Sequence, residues 1–245
     1  MNNNQTIEKL KQMRLGAMAE MHHHYLKNNQ LTGITADEYL ALLTDHEWED
    51  RQNIKIQRLL QMADFKQKAS IAEVSYASGR NLDKNMFNRL ATLDFMAKKE
   101  NIIVTGASGV GKSFLAQALG HQACLMGFRV QYANTARLFT KLRLAKVDGT
   151  YIKELKKLSK TDLLILDDYG LQAFDNQARE SLMDIIDDRF NQTSTIVSSQ
   201  IPVSAWYDII GEGTIADAIL DRLVNSSHRI DLKGDSLRKG ILKNE

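Results

Sequence analysis

Residues 106–113 read GASGVGKS and residues 163–169 read LLILDDY. The first run sets glycines, a lysine and a hydroxyl at the spacing of a phosphate-binding loop. Glycines let the backbone curl so that successive N–H groups face one anion, and a helix opening behind the loop adds its positive end. From such a loop Lys112 reaches the β and γ phosphates of a nucleotide, and the Ser113 hydroxyl reaches Mg²⁺. Gly106, Ala107, Ser108, Gly109, Val110, Gly111, Lys112 and Ser113 are therefore expected to hold nucleotide phosphates. The context fits: an apolar run, NIIVT, precedes the loop and a helical pattern, SFLAQALGHQACLMG, follows it.

In the second run, Leu163 to Leu166 place Asp167 at the carboxyl end of a strand, where open α/β sheets bind ligands. From there its carboxylate can hold Mg²⁺, directly or through water. Asp168 would face the γ-phosphate and polarise the attacking water. Taken without the loop, the same pair reads as the polar end of a strand. A further strand, STIVSSQ, ends in Gln200, which can orient water but cannot take its proton. Hydrolysis also calls for a cation to offset charge on the transferred phosphoryl, often an arginine from a neighbouring subunit. ILDRLVNSSHRIDLKGDSLRK offers Arg222, Arg229 and Arg238, and the residues alone do not rank them.

These groups need a scaffold, and from Asn101 onward short apolar runs alternate with longer helical ones. Strands are expected at 101–105, 128–133, 162–167, 194–199 and 228–232, the pattern of a mostly parallel sheet covered by helices. Before them the chain reads as helical. One helix is expected from Thr6 to about Lys27. Two more follow in LTGITADEYLALLTDHEWEDRQNIKIQRLLQMADF, the first capped by Thr35 with Glu38 three residues on. A short helix is expected in LDKNMFNRLATLDFMAKK. The expected division is a helical domain at 1–70, a connecting segment at 71–100 and an α/β core at 101–245. In the second of the paired helices Arg51, Lys55 and Arg58 flank an apolar face, either as solvated cations or as contacts to DNA or a partner.

The 245 residues suffice for a sizeable core, and 32 basic against 30 acidic side chains are too balanced to imply a polyanion partner. Cys124 is the single cysteine, so no intrachain disulfide or thiolate cluster is expected, and it reads as a buried helix residue. Adjacent His22, His23 and His24 point different ways on a helix and are not expected to bind metal. The N-terminus lacks a signal-peptide core and no stretch approaches a membrane span, so a cytoplasmic protein with no membrane partner is expected.

With these residues in place the chain resembles the IstB family, ATP-dependent helpers encoded beside the transposase of one class of bacterial insertion sequences. The resemblance rests on DHEWEDRQNIKIQRLLQMADF, NIIVTGASGVGKSFLAQALGHQACLMGFRVQY, LLILDDYG, STIVSSQIPVSAW and ADAILDRLVNSSHRIDLKGDSLRK. It implies a P-loop NTPase core of the AAA+ class, three layers with a parallel sheet of order 5-1-4-3-2. It implies ATP and Mg²⁺ as cofactors, with Lys112 and Ser113 in the loop and Asp167 on the metal. Asp168 fills the place of the catalytic acid, commonly glutamate in the wider class, and Gln200 that of the polar sensor. Arg222 matches the arginine that acts in trans, and Arg238 the second sensor arginine. Seven residues follow Arg238, so the C-terminal helical lid is expected to be absent or vestigial. The resemblance further implies a nucleoid-associated homo-oligomer that assembles on double-stranded DNA with ATP, deforms it, and recruits and activates the cognate transposase.

One segment supports a DNA partner from its residues alone. Arg137, Lys141, Arg143, Lys146, Lys153, Lys156, Lys157 and Lys160 stand against Asp148 and Glu154, a local excess of positive charge suited to phosphates. Such binding would fall steeply with salt, and with no base-reading motif it would depend on backbone contact and DNA deformability. A helicase loader and a nucleotide-dependent scaffold with negligible turnover are the competing readings.

Overall fold

The protein is described by a computed structural model covering residues 3–29, 32–77 and 79–237. It divides into two compact units, Met1–Arg58 and Leu59–Glu245.

The first unit is helical. Helices α1 (Asn3–Gln12) and α2 (Gly16–Lys27) replace the single helix expected there. The break falls where Arg14 takes a left-handed φ of +60°, just before Gly16. The opposite correction applies to α3 (Ala36–Ala63), one helix of 28 residues where two were expected. It contains no glycine or proline to interrupt its hydrogen-bond ladder. The Thr35 cap is present: Thr35 N–H donates to Glu38 Oε2 at 2.8 Å and Glu38 N–H to Thr35 Oγ1 at 3.3 Å. Buried Glu47 on α3 accepts from Met18 N–H at 3.1 Å, satisfying a donor that the first turn of α2 leaves open.

In the second unit, α4 (Lys84–Ala91) and α5 (Asp94–Ala97) divide the helix expected near 82–99, because Leu93 between them sits at φ +65°. Five strands follow: β1 (Asn101–Gly106), β2 (Val130–Asn134), β3 (Leu163–Asp167), β4 (Ser194–Ser199) and β5 (Ser227–Leu232). They form one parallel sheet in the order β2-β3-β4-β1-β5, which is the expected 5-1-4-3-2 arrangement. Helix α6 (Lys112–Leu125) covers one face, packing Leu115 and Leu119 with Ile102, Val104, Leu163, Ile165 and Ile196. The alternate strand residues Ile103, Leu164, Leu166 and Val197 face the other layer. That layer comprises α7 (Thr135–Val147), α8 (Tyr151–Ser159), α9 (Asn176–Arg189), α10 (Trp206–Ile210) and α11 (Gly213–Val224). All of β3 and β4 is buried, which matches the apolar run Leu163–Leu166 in β3.

Buried Arg189 closes the base of this layer, donating to Leu158 O, Thr161 O, Ser194 O and Thr195 Oγ1. Cys124 is buried in α6, and burial pushes its thiol up to about 12, so it is unreactive. No helix among the described residues is long and apolar enough to cross a membrane.

Helix α6 lies so close to β3 that a Cβ at Gly120 would stand 2.6 Å from Ile165 Cδ1 and 2.9 Å from Phe65 Cε1. Gly120→Ala should therefore destabilise the core by about 1–3 kcal/mol through overpacking, despite the better helix propensity of alanine. Denaturant unfolding checks this, and a gain in stability would show that the helix can move off the sheet.

Candidate functional site

The loop after β1 takes its shape from three glycines at positive φ: Gly106 (+141°), Gly109 (+83°) and Gly111 (+96°). A side chain at Gly106 would place Cβ 2.3 Å from Leu232 O, so the loop passes where only glycine fits. Gly111 is the N-cap of α6, aiming the helix's first N–H groups at the loop's hollow. Buried Lys112 curls back over the loop, its Nζ donating to Ala107 O at 2.8 Å.

The acid pair stands next to this loop, and its two members face different surroundings. Asp167 ends β3 on the same sheet face as α6, 1% exposed. Ser113 Oγ donates to its Oδ1 and Tyr132 OH to its Oδ2, both at 2.8 Å, while Thr135 Oγ1 donates to its backbone O at 2.8 Å. Burial, with the charges of Asp167 and Asp168 alongside, pushes the Tyr132 phenol up, so it stays a donor. Asp168 leaves the strand at φ +55°, a left-handed conformation that aspartate tolerates better than most side chains. Its Oδ2 accepts from Asn134 Nδ2 at 2.9 Å.

Ser108, Gly109, Gly111, Lys112, Ser113, Asp168 and Gln200 line one cleft of about 470 Å³, with Lys66, Gln67, Phe114, Leu171 and Leu237 completing its walls. Its volume suits a nucleotide-sized ligand. Hard oxygen donors from Ser113 and Asp167, already 2.8 Å apart, are the donor set that Mg²⁺ takes, with waters and phosphate oxygens filling its other positions.

Arg222 stands apart from the cleft. Asn101 Nδ2 donates to Arg222 O at 3.2 Å, so Arg222 sits where β1 begins, and the phosphate loop begins where β1 ends, roughly 16 Å away at strand rise. Its guanidinium pairs with Asp187 at 3.1 Å, donates to Ala218 O at 2.9 Å and lies 5.6 Å from the Phe190 ring centroid. Arg238 lies outside the described residues.

The basic run occupies α7 and α8, and part of its charge is already balanced. Lys141 pairs with Glu154 at 2.6 Å, Lys146 with Glu180 at 2.9 Å, and Arg143 with Asp175. Arg137, Lys153, Lys156 and Lys157 are exposed. In the first unit, Arg51 pairs with Glu47 at 2.8 Å and donates to Arg14 O at 2.8 Å, whereas Lys55 and Arg58 are exposed on α3.

Sequence reading missed Tyr132, Asn134 and Thr135. Their signal was the two-residue period of β2, which puts Tyr132 and Asn134 on one face, with Asn134 registered against Asp167. Asn134 does two jobs: its Oδ1 accepts from Arg137 N–H at 3.3 Å, capping α7, and its Nδ2 holds Asp168. A second cavity, about 440 Å³, is lined by Asn134 together with Lys66, Arg137, Lys141 and Lys157. Sequence reading also missed Arg80, whose buried guanidinium touches the phosphate loop at Val110 O, 2.8 Å away.

Comparison with known proteins agrees with this architecture. The sequence model of the family described as IstB-like ATP binding protein matches residues 8–244. The insertion-sequence ATP-binding protein y4pL of Sinorhizobium fredii (strain NBRC 101917 / NGR234) is 44% identical over 234 residues, covering 96% of each chain. The ATP-binding protein of insertion sequence IS1162 from Pseudomonas fluorescens is 40% identical over 200 residues, 81% of this chain and 87% of its own. Among solved structures, that of DnaI superposes with a TM-score of 0.56 at 23% identity, over 68% of this chain and 92% of DnaI. At that identity the likeness is one of fold alone.

Proposed function

The chain belongs to the IstB-like ATP-binding protein family, and from that premise we propose that it assembles on duplex target DNA with ATP bound, deforms that DNA, and recruits its transposase. It is an AAA+ ATPase that acts as an ATP-dependent helper of insertion-sequence transposition. The observation that carries this reading is the 44% identity to an insertion-sequence ATP-binding protein over 96% of both chains. The helicase-loader reading draws on a likeness of fold alone.

ATP would lie in the cleft with its phosphates against the N–H groups of residues 107–113. Lys112 would turn from Ala107 O to the β and γ phosphates. Ser113 and Asp167 would hold Mg²⁺, which would supply positive charge to offset that of the phosphates. Tyr132 restrains the Asp167 carboxylate and Thr135 its backbone carbonyl, which would keep the acid oriented toward a metal. Asp168 would accept the proton of the attacking water, and Gln200 would orient that water.

Asn134 supports a link between DNA and hydrolysis. The residue that restrains Asp168 also caps α7, whose first turn carries Arg137. DNA phosphates drawn to Arg137, Lys153, Lys156 and Lys157 would pull on that cap and reset the acid. Lys55 and Arg58 are proposed to add contacts from the first unit, and Arg51, Lys141, Arg143 and Lys146 to contribute after exchanging their present carboxylate partners. Where both partners are exposed, as for Arg143 and Asp175, such a pair is worth about 0–1 kcal/mol, so that exchange is cheap.

Lys112→Ala is the direct test. It should weaken ATP binding and abolish ATP-dependent assembly on duplex DNA, read by nucleotide titration and by sedimentation with labelled DNA. Assembly at the wild-type level would break the proposed link between ATP and DNA.

A further inference from the structure

Arg80 and Arg189 are both buried arginines of the core, and they differ in how their charge is used. Arg189 spreads its donors over four acceptors at the base of the sheet. Arg80, 7% exposed, donates to Ser75 O and Val110 O, and its Nε is buried without a partner. Among the described residues no carboxylate pairs with it. A buried cation without an anion is costly to keep, and this one rests against the phosphate loop at Val110 O without lining the cleft.

The geometry of a peptide unit says what it does there. In a planar trans peptide, the C=O of one residue and the N–H of the next point in opposite directions. A donor holding Val110 O on the outer side of the loop therefore turns Gly111 N–H toward the hollow. The same holds one peptide earlier, where Leu237 N–H donates to Gly109 O at 3.0 Å and so turns Val110 N–H inward. Both grips are tight: a Cβ at Gly109 would stand 2.1 Å from Ser236 Oγ, and one at Gly111 2.7 Å from Arg80 Nη2. They are also joined, because Lys233 N–H donates to Arg80 O at 3.0 Å.

We propose that Arg80 and the backbone N–H of Leu237 are positioning groups that hold the Gly109 and Val110 carbonyls outward, so that the N–H groups of Val110 and Gly111 face the nucleotide's phosphates before it arrives. The inference rests on the reading that this loop binds ATP. Pre-aimed donors raise affinity because their ordering cost is met before binding. The buried guanidinium adds positive potential behind the loop.

The test compares Leu237→Pro, which deletes the donor N–H, with Leu237→Ala, which keeps it. Leu237 is exposed, so neither change disturbs the core. Titration of the full chain with fluorescent ATP and ADP analogues should show Leu237→Pro binding both about 3- to 10-fold more weakly than Leu237→Ala, the span set by one net hydrogen bond. Arg80→Met, with folding checked by thermal melting, should lose about 10-fold or more, since a charged donor is removed. If Arg80→Met fails to fold, the proline and alanine pair still decides. Equal affinity of Leu237→Pro and Leu237→Ala overturns the inference, as does wild-type affinity in folded Arg80→Met. Failure of the wild-type chain to bind ATP would instead overturn the reading of the loop.

Discussion

Asp168→Asn is expected to lower ATP turnover by about 10²- to 10⁴-fold, the usual contribution of a general base, while nucleotide affinity stays near wild type. The asparagine keeps the shape of the side chain and can still accept from Asn134 Nδ2, now 2.9 Å from the carboxylate, but it cannot take a proton. The proposed phosphate and metal contacts are those of Lys112, Ser113 and Asp167, which the change leaves alone. The ATP-bound assembly should therefore accumulate on DNA. Single-turnover hydrolysis alongside nucleotide titration checks both halves, and unchanged turnover would reduce Asp168 to the polar end of a strand. Wild-type hydrolysis should itself be slow. Aspartate reaches about 1.5 Å less far than the glutamate common in the wider class, and misplacement by about 1 Å can cost on the order of 10² in rate. Slow hydrolysis suits an assembly that must persist until its partner arrives.

Arg222→Ala is expected to lower the turnover of the DNA-bound assembly by about 10³- to 10⁵-fold, the effect of losing an arginine supplied in trans. Within one chain Arg222 and the phosphate loop lie at opposite ends of β1, so the isolated protomer should hydrolyse ATP at the same rate with or without it. Serving a neighbour's site means leaving Asp187, whose side chain is 61% exposed. An ion pair with one partner that open to water holds by about 0–1 kcal/mol, and the move also gives up the hydrogen bond to Ala218 O and the Phe190 contact. Mixing separates trans from cis action: Arg222→Ala subunits keep an intact loop and Lys112→Ala subunits an intact arginine, so together they should recover turnover that neither shows alone. A mixture that stays inactive, or an Arg222→Ala assembly at the wild-type rate, would point to another cation.

What the sequence disclosed follows from how far apart the interacting groups stand along the chain. The phosphate loop and the acid pair are each contiguous, so residue type and spacing were enough to find them. Strands β1 and β3 showed as plain apolar runs, and the boundaries of all five strands shifted by two residues at most. The helices of the first unit were harder. Nothing in residues 13–15 marks the turn between α1 and α2 until Arg14 is seen at positive φ, and α3 has no breaker to make it two helices. The grip of Tyr132 on Asp167 depends on the register of β2 against β3, across 35 residues. Arg80 meets Val110 across 30 residues with no motif to announce it. The basic run read as six charges in excess, because the acids that offset part of it, Asp175 and Glu180, arrive from another helix.

ATP in the loop after β1 is proposed to govern assembly on duplex DNA. Sedimentation velocity of the wild-type chain with a labelled DNA duplex, run with Mg²⁺ and ATP, with Mg²⁺ and ADP, and without nucleotide, tests it most directly. A large protein–DNA complex is expected with ATP and Mg²⁺ only. The same complex under all three conditions, or a preference for single-stranded over duplex DNA, would contradict it.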